Sequence, residues 1–193
     1  MSSHHVVRED QEPALVILVV DGLQPEMLGQ LLEWSPTVIT VADTAEKLNS
    51  FGIKVDYVIT NDNAVTQQSD VKIIPASNAS MTVTALRFLL TNNYKAVNII
   101  TDSYNVTELL PFIEKINFVI YNNDQKIYAV TPGFSKWKQA GEEIRILLNV
   151  NPLQHNGLKV LKPLSYETIA DGFFSFYFNH PFMLIAEATY QHG

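Results

Sequence analysis

The sequence predicts an α/β domain followed by an all-β domain. Three observations carry this. Over residues 1–116, short apolar, β-branched runs alternate with amphipathic helical segments, the pattern of a mostly parallel sheet with flanking helices. At residue 117 a strand–turn–strand pattern begins. After it come only short β-type runs separated by Pro, Gly and Asn, with no long helix. The expected domains are therefore 1–116 and 117–193.

The elements follow in order. Ala14 to Val20, "ALVILVV", is continuously apolar and reads as a buried strand. Pro25 opens a helix, "PEMLGQLLEW", with apolar residues at helical spacing. "TVITVA" from Thr37 is the second strand. Asp43 or Thr44 is suited to cap the next helix, "AEKLNSF", and Gly52 to end it. "YVIT" from Tyr57 and "VKII" from Val71 are the third and fourth strands. "SMTVTALRFLLTNN" from Ser80 is an amphipathic helix, and "AVNIIT" from Ala96 the fifth strand. Pro111 interrupts "VTELLPFIEK", so that helix is expected to be short, kinked or late. "NFVIYNNDQKIYAV" reads as a hairpin turning at Asn122–Gln125. "EIRILLNV", "GLKVLKPL", "FFSFYF" and "FMLIAEATY" supply further strands.

Bulk properties exclude several functions. The 193 residues, 47% hydrophobic, are enough for two cores. Lys and Arg number 13 against 20 Asp and Glu, a net charge of −7 with no basic cluster, which argues against a nucleic-acid partner. No apolar run nears the roughly 20 residues that span a bilayer, so no membrane insertion is expected. The polar start, "MSSHHVVREDQEP", has no apolar segment of a signal peptide. His4 and His5 fall within it and read as inert. The absence of cysteine excludes disulfides and thiolate chemistry and fits a cytoplasmic location.

Ligands of open α/β sheets bind beyond the C-terminal ends of the strands. Those ends fall at Asp21-Gly22, Asp43-Thr44, Thr60–Asn63 and Thr101–Ser103. They form a polar rim suited to a phosphate-bearing ligand with a divalent cation. Asp and Asn also cap helices and fill turns, so each alone is weak evidence. No phosphate-binding Gly-rich loop, nucleophile elbow or zinc-binding helix motif occurs. His155 and His180 read as structural. Trp34, Trp137 and Tyr166 are able to stack on a heterocycle but equally suit a core.

The stretch "ADTAEKLNSFGIKVDYVITNDNA", Ala42 to Ala64, resembles the "ADGGA … lGi-PD … GDFDS" signature of the thiamine pyrophosphokinases. "SMTVTALRFL" falls where that family has its TD helix, "VTPGF" (Val130 to Phe134) early in its β-domain, "GLKVLKPL" at its "GL" segment, and "NHPFMLIAEA" near its terminal strand. The resemblance spans roughly Ala14 to Ala188. It implies an α/β nucleotide domain, a C-terminal β-sandwich, a homodimer, and Mg²⁺-dependent transfer of diphosphate from ATP to thiamine.

The departures concern the chemistry. Asp43 is kept, but both glycines of ADGGA are replaced, by Thr44 and Ala45. The carboxylates of GDFDS become Asn61 and Asn63, with Asp62 between them, and Met81 stands where the TD helix has Asp. Carried over residue by residue, the resemblance leaves Asp43, Asp62 and Asp102 as catalytic candidates. Asp62 is the one metal candidate, and Thr44, Thr60, Asn61, Asn63, Thr101 and Ser103 are the nucleotide-contacting ones. Mg²⁺ needs hard, charged oxygens, which neutral amides and a thioether replace poorly. The expectation is a thiamine pyrophosphokinase-like protein with weak or lost activity. The alternatives are a working site rearranged around Asp62, Asp43, Asp70 or Asp102, a non-catalytic nucleotide- or thiamine-binding module, and a structural homodimer.

Overall fold

The computed structural model describes residues 12–22, 24–33, 37–61, 70–148 and 150–189. The chain divides into two compact units, Met1–Phe118 and Val119–Gly193. No helix among the described residues is long and apolar enough to cross a membrane.

The first unit contains strands β1 (Ala14–Ile17), β2 (Val38–Val41), β3 (Tyr57–Thr60), β4 (Lys72–Pro75) and β5 (Ala96–Ile100). They run parallel in the order β5-β1-β2-β3-β4. All four residues of central β1 are buried, as an apolar run covered on both faces must be. β4 lies at the end of this order, mostly exposed, and ends in Pro75, which an edge tolerates.

Helices α1 (Pro25–Leu32), α2 (Ala42–Ser50), α3 (Met81–Thr91) and the single turn α4 (Val106–Leu109) connect the strands. α2 packs on β2 and β3, and α3 on β1 and β3. Residues Thr82 to Leu86 of α3 are all buried, so its first half is covered on every side. α2 starts at Ala42, two residues earlier than a cap at Asp43 would allow. Its N-cap is Val41, whose side chain has no acceptor to offer, and the hydroxyl of Thr44, inside the first turn, donates to the carbonyl of Leu18 at 3.0 Å. Gly52 follows the helix at φ 71°, and Ile53 N–H closes the end on Leu48 O at 3.0 Å. After α4 the chain tightens into a 3-10 turn, Leu110–Phe112, with Pro111 inside it.

The second unit is a β-sandwich. β6 (Asn117–Asn122) and β7 (Gln125–Val130) form a hairpin whose turn holds Asn123 at φ 50°. β8 (Ser135–Lys138), β9 (Glu143–Ile146), β10 (Leu153–Asn156), β11 (Leu158–Lys162), β12 (Ser165–Thr168), β13 (Gly172–Phe178) and β14 (Met183–Ala188) follow. One antiparallel sheet runs β11-β12-β9-β14-β7-β6, and the facing sheet runs β10-β13-β8. Between them lies a core built from Ile144, Tyr166, Phe174, Phe176, Met183 and Ile185, among others. The rings of Phe174 and Phe176 pack edge-on with centroids 5.6 Å apart. The opposite face of β13 leaves Phe173 and Tyr177 exposed. Gly157 joins β10 in one sheet to β11 in the other. It has φ 73°, and a Cβ there would stand 2.8 Å from the carbonyl oxygen of Phe173, so both backbone and space require glycine.

Candidate functional site

From β1 the chain of the first unit moves outward through β2, β3 and β4. It then returns through α3 to β5, on the other side of β1. The winding reverses between β1 and β5, and open α/β sheets bind ligands in the crevice outside such a reversal. A cavity of about 400 Å³ lies there. Leu18 after β1, Val41 at the end of β2, Ser80–Val83 at the start of α3 and Thr101–Asn105 after β5 line it, with Glu108 and Leu109 from α4.

Each polar wall has a local cause. Ser80 is the N-cap of α3, and its Oγ accepts the N–H of Val83 at 3.4 Å. The same hydroxyl donates to Oε2 of Glu108 at 2.6 Å, tying α3 to α4. Thr101 is buried at the end of β5. Its Oγ1 donates to Ser103 O at 2.8 Å and accepts from Ser103 N–H at 3.3 Å, which folds the loop back on itself. Asn105 Oδ1 accepts the N–H of Thr107 at 3.0 Å and caps α4. Asp102 stands exposed between these fixed points. Met81, 40% exposed, opens α3.

The cavity thus brings Thr101, Asp102, Ser103 and Met81 together. Asp43 and Thr44 do not line it: they sit in the first turn of α2, Asp43 exposed and Thr44 buried on its bond to Leu18. Thr60 ends β3, where its carbonyl accepts the N–H of Ala76 at 3.1 Å, and Asn61 beyond it is exposed. Asp62, Asn63 and Trp34 lie outside the described residues. Asp70 is exposed just before β4. In the second unit Tyr166 is a core residue, edge-on to Phe176 at 5.9 Å and to His155 at 5.0 Å, not a stacking platform. His180 Nδ1 is 3.0 Å from Phe182 O, and Trp137 is exposed.

Ser80 and Glu108 were not among the sequence candidates. The signal for Glu108 was the spacing Asn105-x-x-Glu108, which matches a helix-start box. Its carboxylate reaches Ser80, the cap of another helix, a contact no local pattern announces.

No family model matches the chain, and no curated protein matches it in sequence. Solved structures do match. A thiamin pyrophosphokinase from Geobacillus thermodenitrificans aligns over 93% of this chain and 98% of its own, with TM-score 0.70 and 11% identity. The fold is that of the thiamine pyrophosphokinases. The yeast thiamin pyrophosphokinase covers 95% of this chain and 88% of its own at TM-score 0.69 and 10% identity. The thiamine pyrophosphokinase from Bacillus subtilis covers 92% and 99% at TM-score 0.66 and 14% identity.

Mg²⁺, which resemblance to a thiamine pyrophosphokinase implies, takes hard and mostly charged oxygens. The donors at the start of α3 are of another kind. Met81 presents a soft thioether, Ser80 a neutral hydroxyl, and Glu108 is already bonded to Ser80. Among the described residues no three acidic or histidine side chains gather as a metal site would need. Asp102 is the one further carboxylate lining the cavity, and with Glu108 bonded to Ser80 the described donors fall short of the charged oxygen set that Mg²⁺ takes.

Proposed function

We propose that this chain is a thiamine pyrophosphokinase-like protein in which diphosphate transfer from ATP to thiamine is weak or lost. The observation that supports this is Met81. It opens α3 at the cavity, where the family resemblance calls for a carboxylate. Asn61 and Asn63 replace two further acids, so three negative charges are missing from the family's metal-site positions. Losing even one such carboxylate costs on the order of several kcal/mol, and about 1.4 kcal/mol is tenfold in rate.

The test is thiamine diphosphate formation from ATP and thiamine with Mg²⁺ or Mn²⁺. The expected rate is at least about 100-fold below that of an active relative assayed beside it. A comparable rate overturns the reading. The triple variant Asn61→Asp, Asn63→Asp, Met81→Asp is expected to raise whatever rate the chain has.

The cavity itself supports a second reading, a nucleotide-binding module without turnover. The backbone N–H groups at the start of α3 and the hydroxyl of Ser103 form a wall suited to phosphate oxygens. ATP that raises Tm without product formation favours this reading. The homodimer implied by the resemblance is tested by sedimentation velocity.

A further inference from the structure

The second unit carries charge inside its sandwich. Tyr121 on β6 pairs with Lys126 on β7, and Lys126 pairs with Glu187 on β14. Directly paired residues share a face, so these three form one row across the sheet. Lys126, Tyr128 and the core residue Val130 alternate along β7, which puts the row on the face toward the other sheet. From that other sheet, β8 contributes Lys136 and Lys138.

Glu187, 3% exposed, organises two of the lysines. Its Oε1 pairs with Lys136, and its Oε2 lies 3.1 Å from Lys138 Nζ. Lys138 also pairs with Glu142 at 2.5 Å. Lys136 donates to the hydroxyl of Tyr128 at 3.2 Å. Lys126 has no ion pair among the described residues. Its ammonium stands 5.8 Å from the ring centroids of both Tyr121 and Tyr128. Three ammonium groups therefore face two carboxylates, and the surplus positive charge sits at Lys126. A half-buried cation without a carboxylate is costly, and an added anion would relieve that cost.

We infer that this end of the sandwich binds a small oxyanion, a phosphate or carboxylate group, with Lys126 and Lys136 as its cationic ligands. Tyr121 and Tyr128 wall the site. Lys136 keeps a third of its side chain exposed, so this end of the row reaches solvent. Burial, then the charge of Lys136, pushes the Lys126 ammonium below its ordinary range, against the partial counter-pull of Glu187. Burial and then Glu187 raise both tyrosines, so both stay protonated; the Tyr128 hydroxyl proton is engaged by Glu187, which leaves the Tyr121 hydroxyl as the donor on this wall. The site favours an anion and repels a cationic ring.

The experiment is thermal shift and calorimetry with millimolar sodium phosphate or sodium acetate against chloride at constant ionic strength. The proteins are the wild type, Lys126→Met, and Lys159→Met as a control, since Lys159 pairs with Glu167 on the exposed face of β11. Phosphate, acetate or both should stabilise the wild type and the control. Lys126→Met should weaken that binding about tenfold or more. Which anion acts separates a phosphate site from a carboxylate site. No stabilisation by either anion overturns the inference, and so does stabilisation that Lys126→Met retains. If that variant fails to fold, ¹³C-methylated wild type decides. The Lys126 signal should titrate below the surface lysines and move up with the anion, and an unmoved midpoint overturns the proposal.

Discussion

The two units treat buried polarity in opposite ways. Among the described residues of the first unit, every buried polar side chain is a threonine: Thr40, Thr44, Thr82, Thr84 and Thr101. The hydroxyls of Thr40, Thr44 and Thr101 each donate to a backbone carbonyl, on Ile17 at 2.6 Å, Leu18 at 3.0 Å and Ser103 at 2.8 Å. Thr84 bonds the hydroxyl of Ser77 at 2.8 Å. The second unit buries Lys138 and Glu187. With neutral hydroxyls as its buried polar groups, the described part of the first unit keeps charge out of its core and at the rim. The sandwich instead holds charges that need one another, so one substitution there leaves a partner uncompensated.

The largest effects should come from apolar cores, where the units ought to behave alike. Phe174 is fully buried between Phe134 at 6.0 Å and Phe176 at 5.6 Å. Ile99 is fully buried in β5. Phe174→Ala should cost about 3–5 kcal/mol and Ile99→Ala about 2–5 kcal/mol in urea denaturation. A Phe174→Ala cost under about 1 kcal/mol would mean that the sandwich relies on its charges rather than on this packing.

Next comes Glu187. Burial alone would raise its carboxyl, but the bond and charge of Lys136, then those of Lys138, hold it below the ordinary range. A carboxyl depressed in the folded state stabilises above its unfolded value and loses that contribution as pH falls through the folded one. The wild type should therefore lose stability as pH drops below about 4.3, the unfolded glutamate value. Glu187→Gln should cost about 3 kcal/mol at neutral pH, because Lys136 keeps only Tyr128, and should flatten the acid limb. Equal acid limbs in the two proteins would remove Glu187 from the account.

The same contrast governs what the sequence revealed. β1, β3, β5, β13 and β14 are apolar enough to read directly, as is the hairpin of β6 and β7 through its Asn-Asn-Asp turn. β8 ("SKWK"), β10 ("LQHN") and β12 ("SYET") escaped notice, because polar runs of four become strands only when neighbouring strands pair with them. Lys136 and Lys138 sit on one of these hidden strands, so the charged cluster had no linear signature. At the rim, Thr101, Asp102 and Ser103 were legible because a strand end in a parallel sheet locates them. Ser80 with Glu108 was not, since their bond joins residues 28 apart in sequence.

The smallest effect belongs to that bond. Glu108 places a carboxylate 2.6 Å from the N-cap hydroxyl of α3, at the positive end of the helix where a phosphate would sit. Glu108→Gln keeps an acceptor for Ser80 and removes the charge. Stability should fall by a few tenths of a kcal/mol, because an anion near a helix N-terminus contributes about 0.3–1 kcal/mol. ATP affinity measured without metal should rise about two- to fivefold, since the carboxylate no longer competes with phosphate for the same positive end. Lys126→Met in the sandwich should move oxyanion affinity the other way. If Glu108→Gln leaves ATP binding unchanged while stability falls as expected, the carboxylate caps the helix but does not guard the cavity, and any nucleotide phosphates lie away from the start of α3.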